Sequence, residues 1–190
     1  MKTPRLILIT GASRGIGRAA ALHTAQNGDI PILIARSKAA LESLDDEIRA
    51  AGGEAVLVPM DLKDAKGIAT LGRIIGEKFG HLDGLIANAG VLGTIGPIET
   101  CGPRSFEETI EVNLTSNYRL IHALAPWLHQ SDAPRAVFVT SGVVPRPRAF
   151  WGPYQASKAG LESLVTAWIE ECEKMALRIN LYDPGATRTE

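Results

Sequence analysis

Short apolar runs separated by longer amphipathic stretches set the rhythm of this chain. Leu6, Ile7, Leu8 and Ile9 form a run too short for a helix, and it ends at a glycine turn. Such a run reads as a buried strand. Five more occur downstream: Ile30 to Ala35, Ala55 to Pro59, Leu82 to Ala87, Ala136 to Thr140 and Ala176 to Tyr182. Helical stretches lie between them. Arg18 to Thr24 comes after the first strand. Ser37 is placed to cap a helix running to about Ala51, with Leu41, Leu44 and Ile48 on one face and Gly52-Gly53 as its stop. Ala65 to Phe79, Pro103 to Leu128 and Pro153 to Lys174 are the remaining helical segments. Strand and helix alternate throughout, which predicts an α/β fold: a doubly wound parallel sheet of six strands with helices on both faces. No linker or internal repeat interrupts it, so residues 1–190 read as a single domain.

The turn after the first strand carries Gly11, Gly15 and Gly17, spaced GxxxGxG. A strand, a glycine turn and a helix start form a phosphate cradle, because small residues admit a close anion and the first helical N–H groups face it. The usual spacing is GxGxxG, so these glycines alone are also compatible with an ordinary loop. Arg36 stands directly after the second strand, where an acidic residue would accept from the ribose of NAD. An arginine instead offers a planar fork of donors to a 2′-phosphate, and Arg14 inside the turn adds a second charge. The plain alternative for Arg36 is a solvated helix-start residue. Asp61, beside Leu62 at the end of the third strand, either accepts from an adenine amino group or caps the next helix. Asn88-Ala89-Gly90 ends the fourth strand with small residues that let a ring or ribose pass close by. Asn113 lies among apolar neighbours inside a helical stretch, a costly place unless its amide is used.

Composition narrows the partners. Twenty basic and 21 acidic residues leave a net charge of -1, which gives no electrostatic footprint for nucleic acid or a membrane surface. Cys101 and Cys172 are far apart and suggest neither a disulfide framework nor a metal site. The four histidines form no ligand cluster, and His122 and His129, two turns apart, read as surface residues. The apolar N-terminal run breaks at Gly11, too early for a signal peptide, and no segment approaches a membrane span. The expectation is a cytoplasmic protein without a bound metal.

Ser141 ends the fifth strand, and Tyr154 and Lys158 lie four apart on one face of the last helix. Taken alone, the Tyr–Lys pair reads as a surface contact. In company with Thr10-Gly11-Ala12-Ser13-Arg14-Gly15-Ile16-Gly17, Asp61-Leu62, Asn88-Ala89-Gly90, Asn113, Ser141, Tyr154-Gln155-Ala156-Ser157-Lys158 and Pro184-Gly185-Ala186-Thr187-Arg188-Thr189, the chain resembles the short-chain dehydrogenase/reductase family. The resemblance spans essentially the whole chain and is nearest to cytoplasmic bacterial reductases of the NADP type. It implies a Rossmann-like fold, NADP(H) as cofactor and a small carbonyl or alcohol substrate. By the same resemblance Tyr154 is the catalytic acid or base, Lys158 holds the ribose and depresses the tyrosine pKa, and Ser141 binds the substrate oxygen. Asn113 would hold a water in a proton relay from Lys158, Asp61 would meet the adenine, and Asn88 to Gly90 would flank the cofactor. Pro184, Gly185, Thr187 and Thr189 match the segment on the nicotinamide side.

The chemistry agrees with these side chains. A tyrosine titrates near 10, and a neighbouring ammonium stabilises its phenolate. No histidine or acid is placed to activate Ser141, and the glycines do not form a nucleophile elbow, which argues against a hydrolase. The alternative from another class is a catalytically silent nucleotide-binding or scaffolding protein. Family members continue with a substrate-covering lid and a seventh strand, so the expectation is a complete nucleotide half and a substrate pocket lacking part of its wall. That pocket should be bounded by Val91 to Gly96, by Gly142 to Trp151, and by residues beyond Gly185. Arg146 and Arg148 in the middle segment either receive an anionic substrate or form an exposed basic turn. The apolar residues Leu120, Leu124, Ala159, Leu161, Leu164 and Trp168 suggest a homodimer or homotetramer built on the two long helices.

Overall fold

The computed structural model describes residues 3–187. Six strands are present: β1 (Leu6–Thr10), β2 (Ile30–Ala35), β3 (Val56–Pro59), β4 (Gly84–Ala87), β5 (Arg135–Val139) and β6 (Arg178–Tyr182). They form one sheet in the order β3-β2-β1-β4-β5-β6, with all neighbours parallel. The helices are α1 (Gly15–Gln26), α2 (Lys38–Ala50), α3 (Ala65–Phe79), α4 (Pro103–Ile110), α5 (Ser116–Leu128) and α6 (Gly152–Glu171). This is the doubly wound α/β arrangement that the alternation predicts.

Both faces of the central strands are covered, and this explains their unbroken apolar runs. Side chains alternate between faces along a strand. Leu8 therefore packs with Ile34, Phe138 and the α3, α5 and α6 residues Ile75, Leu124 and Val165. Its neighbour Ile9 packs on the opposite side, with Leu33 and with Leu41, Leu44 and Ile48 of α2. Strand order reverses between β1 and β4, and in such sheets the crevice beyond the strand ends at this reversal is where ligands bind.

The helical stretch expected over 103–128 is not uniform. Between α4 and α5, Glu111–Thr115 forms a π-helical turn centred on Asn113. Such widened turns often mark functional sites. Helix α1 starts three residues earlier than its periodicity suggests, at Gly15, inside the glycine turn. Among the described residues, no helix is long and apolar enough to cross a membrane, and no group of three or more His, Cys, Asp or Glu could hold a metal ion.

Candidate active site

A cleft of about 280 Å³ opens at the strand reversal. Gly11, Ser13, Arg14, Gly15 and Ile16 form its floor, at the end of β1 and the start of α1. Arg36, Asp61 and Leu62 line it from β2 and β3, and Asn88, Ala89 and Gly90 from β4. Gly11 and Gly15 have positive φ, 66° and 54°, a conformation that other residues adopt at a cost. Gly17 serves a different purpose. A Cβ there would lie 2.3 Å from the Gly11 carbonyl oxygen and 2.6 Å from Asn88 Nδ2, so its bareness lets α1 press against the turn. Gly17 is buried behind the cleft and is not among its lining residues.

The cradle fits a dinucleotide. The first turn of α1 has no side chain capping it, so its N–H groups face the cleft with the positive end of the helix dipole. Two exposed guanidinium groups, Arg14 and Arg36, border the same space. Asp61 lines the cleft, and its Oδ1 accepts from Lys63 N at 3.0 Å. The helix cap is Asp64, whose Oδ1 accepts from Gly67 N at 3.0 Å, so the capping alternative for Asp61 falls away. Asn88 ties β4 to β1: its Nδ2 donates to the Thr10 carbonyl at 3.0 Å, and the Asn88 and Ala89 N–H groups both donate to Thr10 Oγ1 at 3.0 Å.

The residues expected to be catalytic stand on β5, α6 and the π turn. The register pairs Val139 of β5 with Tyr182 of β6, which brings Ser141 and the residues after β6 to the same end of the sheet. Tyr154, half-buried in the first turn of α6, lies close enough to Ser141 for the serine hydroxyl to pull its pKa down. Lys158, one turn further, is buried, and its Nζ donates to the Val139 carbonyl at 2.7 Å. Its ammonium lies 5.9 Å from the centre of the Tyr154 ring. Asn113, 0% exposed, answers the cost of a mid-helix amide by using every polar atom. Its Oδ1 accepts from Val91 N at 2.8 Å, and its Nδ2 donates to the Val91 carbonyl at 2.8 Å and to Ser157 Oγ at 2.9 Å. Its own carbonyl accepts from Asn117 Nδ2 at 2.8 Å. Asn113 is therefore a clamp joining the π turn, the β4 loop and α6.

The electrostatics differ from one sequence expectation. Burial is the dominant influence on Tyr154 and pushes its pKa up; the Ser141 hydrogen bond pulls it down, and the negative charge of Asp183 pushes it up again. Lys158 is not among these influences. Its ammonium is committed to the Val139 carbonyl, and burial lowers its own pKa to about 8, with Glu162 acting in the opposite direction.

Several expected residues lie apart from the cleft. Ser141, Tyr154 and Lys158 are not among its lining residues, although Lys158 Nζ lies 3.6 Å from where a Cβ on the lining Gly90 would sit. Pro184, Gly185 and Thr187 come after β6: Gly185 has φ 66°, and Thr187 Oγ1 donates to the Pro184 carbonyl at 3.1 Å. Thr189 lies outside the described residues. Val91 of the expected substrate loop lines the cleft, and Arg148 of the middle segment sits over the Trp151 ring at 5.6 Å. That contact matches packing on the protein instead of an anion receptor.

The structure also adds residues. Met60 and Val112 line the cleft, and apolar side chains at a strand end and in a π turn carry no sequence signal of such a place. Thr10 and Glu162 are further additions. Thr140 Oγ1 donates to Glu162 Oε1, so α6 grips the end of β5 through Lys158 on Val139 and Glu162 on Thr140. The apolar residues expected to face a partner are mostly core: Leu120, Leu124, Leu161 and Trp168 are buried within this chain, because the sheet face itself absorbs them.

Comparison with known proteins agrees with this geometry. Residues 5–190 match the family model for short chain dehydrogenase. The Escherichia coli protein described as the uncharacterized oxidoreductase YciK is 35% identical over 188 residues, spanning 97% of this chain and 74% of the relative. A short chain dehydrogenase from Pseudomonas syringae superposes with a TM-score of 0.94 at 36% identity, over 97% of this chain and 78% of the other. One from Shigella flexneri 2a, complexed with NADP, superposes with a TM-score of 0.93 at 35% identity, over 97% and 78%. The match in sequence, topology and strand-end geometry extends along almost the full chain, and the protein belongs to the short-chain dehydrogenase family.

Proposed function

We propose that this protein is an NADP(H)-dependent oxidoreductase that interconverts a carbonyl compound and its secondary alcohol, with Tyr154 as general acid and base. The observation that carries this reading is the grouping of Tyr154 with Ser141, whose hydroxyl pulls the phenol pKa down, and with Lys158 one turn along the same helix and 5.9 Å from the ring centre. A bound nicotinamide supplies or accepts the hydride. The residues of the chain bind, orient and move the proton. Arg36 and Arg14 offer their guanidinium groups to a 2′-phosphate, the start of α1 takes the pyrophosphate, and Asp61 accepts from the adenine amino group. NADP in the related Shigella structure supports the same choice of cofactor.

In reduction, Ser141 donates a hydrogen bond to the substrate oxygen as negative charge grows on it, and Tyr154 delivers its proton to that oxygen. Burial keeps the phenol protonated at neutral pH, which suits the acid role. Lys158 keeps two N–H donors beyond its bond to Val139 and holds the ribose with them, and the Asn113 main-chain carbonyl, with the lone pair that Asn117 Nδ2 leaves, positions the water of a relay that returns a proton. Homo-oligomerisation and a cytoplasmic location belong to the same reading, and light scattering coupled to gel filtration tests the first.

NADPH oxidation over ketones, quinones and 3-oxoacyl thioesters, run beside Tyr154→Phe, tests the function. Turnover of at least one carbonyl, with kcat reduced roughly 100- to 10,000-fold in the variant, is the expected result. Cofactor binding without turnover, identical in both proteins, identifies a silent nucleotide-binding protein instead.

A further inference from the structure

Asp183 comes directly after β6 and stands where no sequence argument places a functional residue. The register pairs Val139 with Tyr182, and Thr140 N donates to the Tyr182 carbonyl at 2.9 Å, so Asp183 faces the segment that begins with Ser141 and Gly142. Its side chain is exposed and is anchored through one oxygen. Oδ1 accepts from Gly185 N at 2.9 Å in a local turn, which leaves Oδ2 turned toward Gly142. A Cβ on Gly142 would lie 3.0 Å from that oxygen. The bare glycine beside the catalytic serine leaves room for the carboxylate. Among the described residues Asp183 has no ion-pair partner.

We infer that Asp183 is a specificity-determining residue that rejects substrates with a negative charge near the reacting carbonyl and favours those carrying an ammonium, amide or hydroxyl donor there. The inference rests on the carbonyl reductase reading and names its substrate class. A fixed carboxylate at the site repels a substrate carboxylate or phosphate, and repulsion of the wrong partner is a direct route to discrimination. An N–H or O–H group beside the carbonyl can instead reach Oδ2 and is held in place by it. The charged groups around Tyr154 do not cancel this field. Lys158 donates to the Val139 carbonyl and is also faced by Glu162, and Arg148 sits over Trp151. Arg146 is exposed on the loop without an ion-pair partner among the described residues. The rise that Asp183 produces in the Tyr154 pKa places its charge within reach of the phenol.

Asp183→Asn removes the charge and keeps an oxygen for Gly185 N. Three small probes, reduced with NADPH, read its effect: acetoacetate, its neutral ethyl ester and cationic aminoacetone. The variant should raise kcat/KM for acetoacetate severalfold relative to the ester, and lower it severalfold for aminoacetone. A second readout needs no turnover. Phenolate absorbance of the wild type minus that of Tyr154→Phe isolates the Tyr154 titration, and its midpoint should fall measurably when Asp183 loses its charge. Unchanged substrate ratios in an enzyme that turns the probes over overturn the inference and leave the reductase reading intact. No turnover of any carbonyl by the wild type, with the titration still shifted, sinks the reductase reading and the substrate selection built on it, and leaves only the field of Asp183. An unmoved titration overturns that placement of the charge.

Discussion

Around Gly11 to Gly17 the site is shaped by backbone, whereas around Tyr154 it is shaped by buried side chains. The cradle owes its form to positive φ at Gly11 and Gly15 and to the bare approach of Gly17, and its charged groups, Arg14 and Arg36, stay exposed. At the other end Asn113, Ser157 and Lys158 are at most 3% exposed, and each is bound to a residue distant in the chain or on another turn. The contrast separates two kinds of substitution. Changing an exposed arginine should alter cofactor affinity and little else. Changing a buried clamp should disturb stability and chemistry together, because the groups that orient Tyr154 also hold the fold.

The comparison breaks most visibly at Asn113. Asn113→Ala deletes the bonds to both polar groups of Val91 and to Ser157 Oγ, and should cost about 2–4 kcal/mol of stability by chemical denaturation. A loss below about 0.5 kcal/mol would mean that this end is no more interlocked than the cradle.

Lys158 gives the next largest effect, and its sign is fixed by the direction of its shift. Burial lowers its pKa from 10.5 to about 8. Between those values the unfolded chain binds more protons at this residue than the native one, so stability rises with pH through the window. Below about pH 8 the full cost of burying the charged amine is present. The gain for the wild type over Lys158→Met between pH 7.5 and 10 should be on the order of 2–3 kcal/mol. A flat difference across that range would refute the shift.

Arg36 sharpens the comparison from the other side. Arg36→Asp should weaken NADPH binding about tenfold, the scale of one charge-assisted contact, and leave the melting temperature within about a degree or two. Equal affinity of the wild type for NADPH and NADH, or an unchanged preference in the variant, would remove the 2′-phosphate assignment.

Much of the cradle is legible in the sequence. Gly11, Arg14, Arg36 and Asp61 stand out as candidates by their places at strand ends, with plain alternatives open, and all of them line the cleft. They are readable because a strand, a tight turn and a helix start are local events with local residue demands. The catalytic end is legible as a set of residue types, by family resemblance, but not as an arrangement. That Lys158 leans on Val139, Glu162 on Thr140 and Asn113 on Val91 depends on strand register and on a π turn that periodicity does not announce. The same limit applies to Tyr154: sequence spacing shows a lysine one turn away, but only the packed structure shows that burial is the largest influence on its pKa.

The amino-acid sequence by itself determined the alternation of six strands with helices, the parallel sheet that this alternation dictates, and the candidate polar groups at the strand reversal, Arg14, Arg36 and Asp61. Those properties arise from short-range periodicity and turn chemistry, where a few adjacent residues decide the outcome. Only the tertiary structure decided that Asp183 faces Gly142, that Gly17 is a packing glycine set behind the cleft, and that Leu120 and Trp168 are core and not interface. These depend on which strand ends lie side by side and on how much water the packed chain excludes. Both are properties of the assembled sheet, in which the contacting residues are far apart along the chain.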